Sequence, residues 1–259
     1  MDQATEPVHG PQQVPRRLIA YVDILGWSEL TNRGEAERIR EAFALIERIH
    51  AEEKEQRGHL VASYGPVAST SGETTFSDSI VYSCFQDDWE IAWMVGRVQW
   101  ICSRLLIAGH PTRGALCFGE LEHTEHRIAG KALVEAHRIE REIAVYPRLV
   151  LTRQAEQMVT SSGVRWSHQP QIQHDRDGLP FLEIVGISAG RTRTRHARRI
   201  AELAVDSCQR ELGGIDPGDR VRAMNHRAKY GWLMSYLNGV LADPPAPNDN
   251  TVLPDADGG

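Results

Sequence analysis

The order of the apolar segments leaves few folds open to this chain. Short apolar or alternating runs that are typical of strands are separated by longer segments with the three- and four-residue spacing of amphipathic helices. In chain order these segments are 18–24, 34–57, 74–85, 89–108, 113–119, 132–144 and 149–151. The resulting order is strand, helix, strand pair, helix, strand, helix, strand. It predicts an α+β fold, with a mixed sheet covered by helices on one face.

The segments outside this core differ in composition. Residues 1–15 contain Gln, Pro and Glu without periodicity, and we expect a disordered leader. The main domain is expected to span 16–187, including edge strands around the Asp177-Gly178 turn. A C-terminal helical extension follows over 188–241, with two helices. Residues 242–259 are rich in Pro, Asn and Asp and are expected to be a disordered tail.

Charge and composition exclude several functions. The formal net charge is -6, and a general nucleic-acid binder would need a basic surface, so we expect no nucleic-acid partner. No apolar run approaches the roughly 20 residues that span a bilayer, so no membrane partner is expected. The four cysteines are far apart and lack zinc spacing, which favours free thiols in a cytoplasmic protein.

A carboxylate lies at the end of the first predicted strand. Asp23 follows the apolar residues of 20–22, and the chain then turns through Gly26 into a predicted helix near Trp27. An acid for a cation, next to the free N–H groups of a helix start, suits a metal–phosphate complex. The alternative is a core strand whose aspartate caps the following helix.

A second acid lies in the next strand pair. Asp78 is flanked by Phe76 and Ile80, where an unpaired charge would be costly, so it should pair with a cation or bind metal. Sequential strands are usually neighbours, and Asp23 and Asp78 could therefore share one or two divalent ions. A buried ion pair with Arg113 is the alternative.

One further group only imitates a metal site. His123 and His126 stand near Glu122 and Glu125, but in a predicted turn with no fixed scaffold. A solvated loop is the simpler interpretation.

Five ordered motifs resemble a known family. The motifs are Tyr21-Val-Asp23-Ile-Leu-Gly-Trp27, Thr75-Phe-Ser-Asp78-Ser-Ile-Val-Tyr82, Arg113-Gly-Ala-Leu, Gly130-Lys-Ala-Leu-Val-Glu-Ala-His-Arg-Ile-Glu140 and Tyr146-Pro-Arg-Leu-Val150. Together they resemble the class III nucleotidyl cyclases, and more closely the pyrimidine cyclases of the bacterial Pycsar anti-phage systems. The likeness spans roughly residues 18–185. Asp177-Gly178 and Lys229-Tyr-Gly-Trp-Leu233 further resemble elements C-terminal to that core.

The resemblance implies a ferredoxin-like cyclase core that forms a head-to-tail homodimer with active sites at the interface. Asp23, Asp78 and the backbone carbonyl of Ile24 would hold two Mn²⁺ ions, with Mg²⁺ possible. The N–H groups of Leu25, Gly26 and Trp27 would bind the triphosphate of the nucleotide.

Two departures from the purine cyclases point to a pyrimidine substrate. Thr74 stands where those enzymes have a lysine that contacts adenine, and Arg127 rather than an aspartate precedes Gly130. Tyr64 could narrow the base pocket to fit a single ring, although a packing role is an equal alternative.

A third departure concerns the Asn-x-x-x-Arg pair of many class III enzymes. Val134 replaces the asparagine, while Arg138 keeps the arginine register. Arg138 would reach the phosphate of the partner's substrate, or it is an ordinary surface arginine on a helix rich in Glu and Arg.

The sequence therefore predicts an enzyme that converts UTP to 3′,5′-cyclic UMP and diphosphate. Its product would act as a second messenger for a separate effector in anti-phage defence. The alternatives are a cytidylate cyclase that makes cyclic CMP, and a catalytically inactive cyclase-like nucleotide sensor or interaction domain.

Overall fold

A computed structural model describes residues 13–64, 72–162, 172–185, 195–213 and 220–242 of the chain. The strands are β1 (Arg16–Ile24), β2 (Gly72–Phe76), β3 (Ser79–Cys84), β4 (Thr112–Glu120), β5 (Glu122–Thr124), β6 (Arg127–Ala129), β7 (Leu149–Leu151), β8 (Ile172–His174) and β9 (Pro180–Leu182). The helices are α1 (Trp27–Asn32), α2 (Ala36–Tyr64), α3 (Asp88–Ile107), α4 (Lys131–Glu142), α5 (Arg153–Ser161), α6 (Arg195–Gly213) and α7 (Arg220–Ala242).

Seven of the strands form one mixed sheet. Their order is β2-β3-β1-β4-β7-β9-β8, with β4 and β7 parallel and the other neighbours antiparallel. β1 lies near the middle of the sheet, where both of its faces are covered, and this explains its nearly continuous apolar sequence. The predicted α+β fold with a mixed sheet is confirmed.

The two faces of the sheet carry different helices. Leu18, Ala20 and Val22 of β1 point into the larger core, which α2, α3, α5, α6 and α7 complete. Ile19 and Tyr21 point to the other side, into a smaller core with α4. The expectation of helices on one face therefore describes most of the helices, but α4 packs on the opposite face. Its apolar stripe, which includes Ala132, Ala136 and Ile139, is what covers β1 and β4 there.

The helices of the C-terminal extension share the larger core with the sheet. Tyr230, Leu233 and Leu237 of α7 are buried in the same cluster as β1. A polar contact also fixes α7, since the indole Nε1 of Trp232 donates to Asp175 Oδ2 at 2.7 Å. Asp175 in turn pairs with Arg148, which is 2% exposed. α7 therefore contacts the rest of the fold both through the larger core and through the hydrogen bond from Trp232 to Asp175.

A two-stranded ribbon, β5–β6, replaces the predicted solvated turn at 120–127. His123 is 6% exposed, and its ring nitrogens are bonded to Thr74 Oγ1 at 2.9 Å and Ser83 Oγ at 2.8 Å. The solvated-loop interpretation was wrong for His123, because hydroxyls on the neighbouring strands satisfy its ring. His123 fastens the ribbon to β2 and β3.

Some expectations lie wholly or partly outside the described residues. Most of the leader, over 1–12, and nearly all of the tail, over 243–259, belong to that group.

All four cysteines are buried free thiols. Among the described residues, no helix combines the length and the apolar character that crossing a bilayer requires.

Candidate metal and nucleotide site

Asp23 lies one residue before the end of β1, directly between two other strands. Its register partners are Ser79 of β3 and Arg113 of β4. Side chains alternate along a strand, so Asp23 shares the α4 side of the sheet with Ile19 and Tyr21. The Asp23 side chain is 14% exposed. β1 therefore delivers a nearly buried acid to the edge of the smaller core.

Asp78 lies in the tight turn between β2 and β3, together with Ser77. The sequence placed Asp78 within a strand pair, and the structure puts it in the turn that joins the two strands, because Ser77 adopts a left-handed φ of 55° and ends the alternation there. The turn is tied to β1, since the N–H of Ile24 donates to the carbonyl of Asp78 at 3.0 Å. This bond brings the two sequence-predicted acids to the same end of the sheet.

A third acid and an arginine complete the cluster. Arg113 Nε donates to Asp23 Oδ2 at 3.3 Å, and its Nη2 pairs with Glu140 of α4. The ion pair of Asp23 with Arg113, considered above as an alternative to metal binding, is thus present. Arg113 thus pairs with two carboxylates, those of Asp23 and Glu140, while the Asp78 carboxylate acts electrostatically on Asp23. The acid cluster, defined by Asp23, Asp78 and Glu140, therefore carries excess negative charge.

Burial and the neighbouring acids both disfavour the ionised form of Asp23. Burial, followed by repulsion from Glu140 and Asp78, raises its pKa from 3.8 to about 7, although Arg113 acts in the opposite direction. A carboxyl whose ionised form is disfavoured in this way would gain from a second cation. The cluster therefore fits a divalent ion chemically, with oxygen ligands of the kind that Mn²⁺ and Mg²⁺ take.

Lys229 of α7 is a residue of this site that sequence reasoning missed. Its ammonium group interacts electrostatically with Arg113, Asp23 and Glu140. Burial is the main cause that lowers its pKa, and Arg113 lowers it further. The position of α7 supports this placement, because His226, one turn earlier, lies 3.6 Å from Glu29 of α1. The only sequence signal was the resemblance of residues 229–233 to a C-terminal element.

The turn after β1 is only partly available to a ligand. Gly26 adopts a left-handed φ of 86°, which glycine tolerates best, and α1 begins at the next residue. The N–H of Leu25, however, donates to the carbonyl of Pro111 at 2.9 Å. In this conformation that N–H already has an acceptor, and a triphosphate would have to displace the Pro111 carbonyl to use it. The Trp27 side chain is buried against Phe43.

The remaining predicted residues lie away from the acid cluster or outside the described part. Arg138 is exposed on α4 and binds Glu135 at 2.8 Å and Glu142 at 3.4 Å. Its neighbour Val134 is 70% exposed, which is unusual for a large apolar residue. Tyr64 ends α2, but its side chain lies outside the described residues.

Comparisons with known proteins give structural neighbours only. No protein-family model matches the sequence, and no curated protein matches it. One similar solved structure is a bacterial light-regulated adenylyl cyclase, with 16% identity and a TM-score of 0.39 over 78% of this chain. The chain spans 60% of the length of that structure. A second is the catalytic core of a rhodopsin-guanylyl cyclase with converted specificity in complex with ATPαS, with 12% identity and a TM-score of 0.40. That match covers 66% of this chain and 97% of the other.

Proposed function

We propose that this chain is a nucleotidyl cyclase that acts on a pyrimidine nucleoside triphosphate, with UTP as the preferred substrate. The observation that carries the proposal is the acid cluster, in which the carboxylates of Asp23, Asp78 and Glu140 repel one another and Arg113 pairs with Asp23 and Glu140. Buried carboxylates that remain under-neutralised favour a bound cation. A nucleoside triphosphate brings its own divalent ions to such a site.

Asp23, Asp78 and the backbone carbonyl of Ile24 would hold two Mn²⁺ ions, or Mg²⁺. Bound there, the ions supply Lewis acidity that neutralises the triphosphate and lowers the pKa of the ribose 3′-hydroxyl. In the reaction this hydroxyl oxygen forms a bond to the α-phosphorus. The bond from the α-phosphorus to the bridging oxygen breaks, diphosphate leaves and the hydroxyl proton goes to solvent.

The chain's own cations have separate tasks in this proposal. Arg113 orients the Asp23 carboxylate through its contact at 3.3 Å and also pairs with Glu140. Lys229 interacts electrostatically with Asp23 and Glu140 of the same cluster. An ammonium group in this position can bind a phosphate oxygen of the substrate or of the leaving diphosphate. The N–H groups of Gly26 and Trp27 would add donors at the start of α1.

A head-to-tail homodimer would complete the site. The exposed side of α4 presents Val134 and Arg138, and the tip of β2 presents Phe76, which is also exposed. In the dimer Arg138 would leave Glu135 and Glu142 and reach the phosphate of the partner's substrate. Exposed apolar side chains beside an arginine are typical of an interface.

Base selection is proposed to favour a single ring. Thr74 stands in place of a basic residue, and its short, uncharged side chain cannot contact an adenine as a lysine would. The Thr74 hydroxyl is instead hydrogen-bonded to His123. Tyr64 is proposed to contact the base. Uracil has a carbonyl group where cytosine has an amino group, and the two bases are otherwise similar in shape. A cytidylate cyclase that makes cyclic CMP is therefore the nearest alternative to the proposed activity.

The biological role follows from the type of product. A cyclic nucleotide is a diffusible messenger, and we propose that it activates a separate effector protein during phage infection. The protein would act in the cytoplasm, where nucleoside triphosphates are available.

A cyclase-like nucleotide sensor without turnover is the second candidate. It is favoured by one observation, namely that Arg113 already contacts Asp23 and Glu140. A guanidinium in that place could substitute for a metal ion and leave the site able to bind nucleotide but not to convert it.

Product analysis separates these functions. Purified protein would be incubated with each of the four nucleoside triphosphates and Mn²⁺, and cyclic products identified by mass spectrometry. Cyclic UMP is the expected product, and its formation should disappear in Asp78→Asn. Nucleotide binding without any cyclic product would support the sensor, and cyclic AMP as the main product would overturn the pyrimidine assignment.

A further inference from the structure

A second group of metal-ligating side chains lies on the face of the sheet opposite the acid cluster. His50 and Glu53 are one turn apart on α2, and Glu73 lies on the edge strand β2. One ligand atom of each residue is within 4.8 Å of the others. Tyr82, the register partner of Glu73, belongs to the larger core and packs edge-on against the His50 ring. This second cluster therefore lies between α2 and the sheet.

Arg97 of α3 occupies only one oxygen of each carboxylate. Its Nε and Nη2 donate to Glu53 Oε2 at 3.0 and 2.6 Å, and Nη2 also donates to Glu73 Oε2. The other oxygen of Glu73 lies 2.8 Å from His50 Nδ1. The other oxygen of Glu53 is buried and has no hydrogen-bond partner among the described residues. Arg97 therefore leaves Glu53 Oε1, Glu73 Oε1 and His50 Nδ1 without a contact to its guanidinium, and the last two of these atoms contact each other.

The second cluster holds two carboxylates, and the only permanent cation that contacts them among the described residues is Arg97. His50 contacts Glu73, and Glu53 is only 5% exposed. Burial raises the pKa of Glu53, while its bonds to Arg97 lower it to a smaller extent. A buried carboxylate oxygen without a partner is costly, and a cation in contact with it would remove that cost.

The donor set indicates which cation fits. One imidazole nitrogen with two carboxylate oxygens suits Zn²⁺, whereas Mg²⁺ and Ca²⁺ prefer oxygen ligands alone. The second nitrogen of the ring, Nε2, is 3.1 Å from the Tyr82 hydroxyl. With a metal on Nδ1, Nε2 would carry the proton and its N–H would donate a hydrogen bond to the Tyr82 hydroxyl oxygen. Metal-binding histidines usually make such a bond with a neighbouring acceptor.

We propose that His50, Glu53 and Glu73 form a second divalent-cation site, suited to Zn²⁺, that fastens α2 to the edge strand β2. Water would fill the remaining coordination positions. β2 leads directly into the turn that carries Asp78, so an ion at this site would stabilise the hairpin that presents one of the proposed catalytic acids. The inference does not rest on the proposed enzymatic activity.

Zinc binding to the full chain tests the inference. The Asp23→Asn variant would serve as the background, so that the acid cluster contributes little to binding. After removal of metals with EDTA, equilibrium dialysis should find one Zn²⁺ per chain. At free Zn²⁺ one hundred times Kd, the melting temperature should rise by about 5–10 °C.

His50→Gln should weaken Zn²⁺ binding at least tenfold, and Glu53→Gln should do the same. His174→Gln is the matched control, because His174 is also within ion-pair distance of a glutamate but lies on the surface. Circular dichroism would check that each variant is folded. Absence of Zn²⁺ binding to the folded parent, or unchanged binding in folded His50→Gln and Glu53→Gln, would overturn the site. Nucleotide turnover is not measured in this experiment. A protein without cyclase activity would therefore give the same zinc-binding result.

Discussion

Replacement of Asp23 by asparagine should change how stability depends on pH. In the folded protein the pKa of Asp23 is about 7, against an ordinary value of 3.8. Between these values the folded state holds more protons at this position than the unfolded state does. The stability from the protonated carboxyl is therefore complete below the ordinary pKa and is lost as the pH rises through about 7.

The size of the effect follows from the two pKa values. Between pH 5 and pH 8 the metal-free protein should lose about 2–3 kcal/mol of unfolding free energy through Asp23 alone. Asparagine has nearly the same shape and no charge to bury, so Asp23→Asn should not show this loss. Urea unfolding in EDTA at both pH values would measure the difference. The exposed Asp206 on α6 supplies a control, since Asp206→Asn should behave like the parent.

Added Mn²⁺ extends the same experiment to the metal. If the acid cluster binds the ion, Mn²⁺ should restore the stability of the parent at pH 8 and have a smaller effect on Asp23→Asn. The electrostatic reasoning would be refuted by a parent and an Asp23→Asn variant whose stabilities change equally between pH 5 and pH 8.

Four other substitutions test separate parts of the site. Asp78→Asn should abolish cyclic nucleotide formation and leave the circular dichroism spectrum unchanged, because residue 78 lies in a turn; normal turnover would exclude it as a metal ligand. Lys229→Met should lower kcat at least tenfold, with partial recovery in Lys229→Arg, and equal rates for Lys229→Met and the parent would remove the lysine from the site. Arg138→Ala should reduce turnover without changing the melting temperature, and mixing it with Asp78→Asn protein should restore some activity if Arg138 acts across a dimer. Arg148→Met should lower the free energy of unfolding by about 3–5 kcal/mol, since Asp175 loses its buried partner; urea unfolding that differs by less than about 1 kcal/mol would show that this pair does not hold α7.

The parts of the fold that the sequence predicted are those with strong local patterns. β1, α3 and β7 have apolar runs whose length and spacing point to one structure, and their observed bounds agree with the expectation within two residues. The ribbon β5–β6 was missed because its strands are three residues long and polar. Its position depends on His123 reaching two other strands, which no local pattern reports.

The residues of the candidate site likewise fall into those with a local sequence signal and those placed only by distant contacts. The proximity of Asp23 and Asp78 could be expected because strands that follow one another along the chain are usually neighbours, as β1 and β3 are. Glu140 lies on a helix rich in Glu and Arg, where one more acid looks like a solvated side chain, and only the packing of α4 against β4 buries it. The bond from Leu25 to Pro111 likewise depends on how two distant turns meet. Contacts of this kind require the tertiary structure.

The burial of α7 in the central core also has a consequence for the timing of synthesis. β1 leaves the ribosome well before α7, although Leu233, Leu237 and Val240 of α7 help to cover the larger core that β1 shares. A nascent chain that has reached only β9 would expose part of that apolar surface and would lack Lys229. The proposed messenger could therefore be made only by chains that have completed α7, and an interrupted translation product would be silent and a substrate for chaperones or proteases.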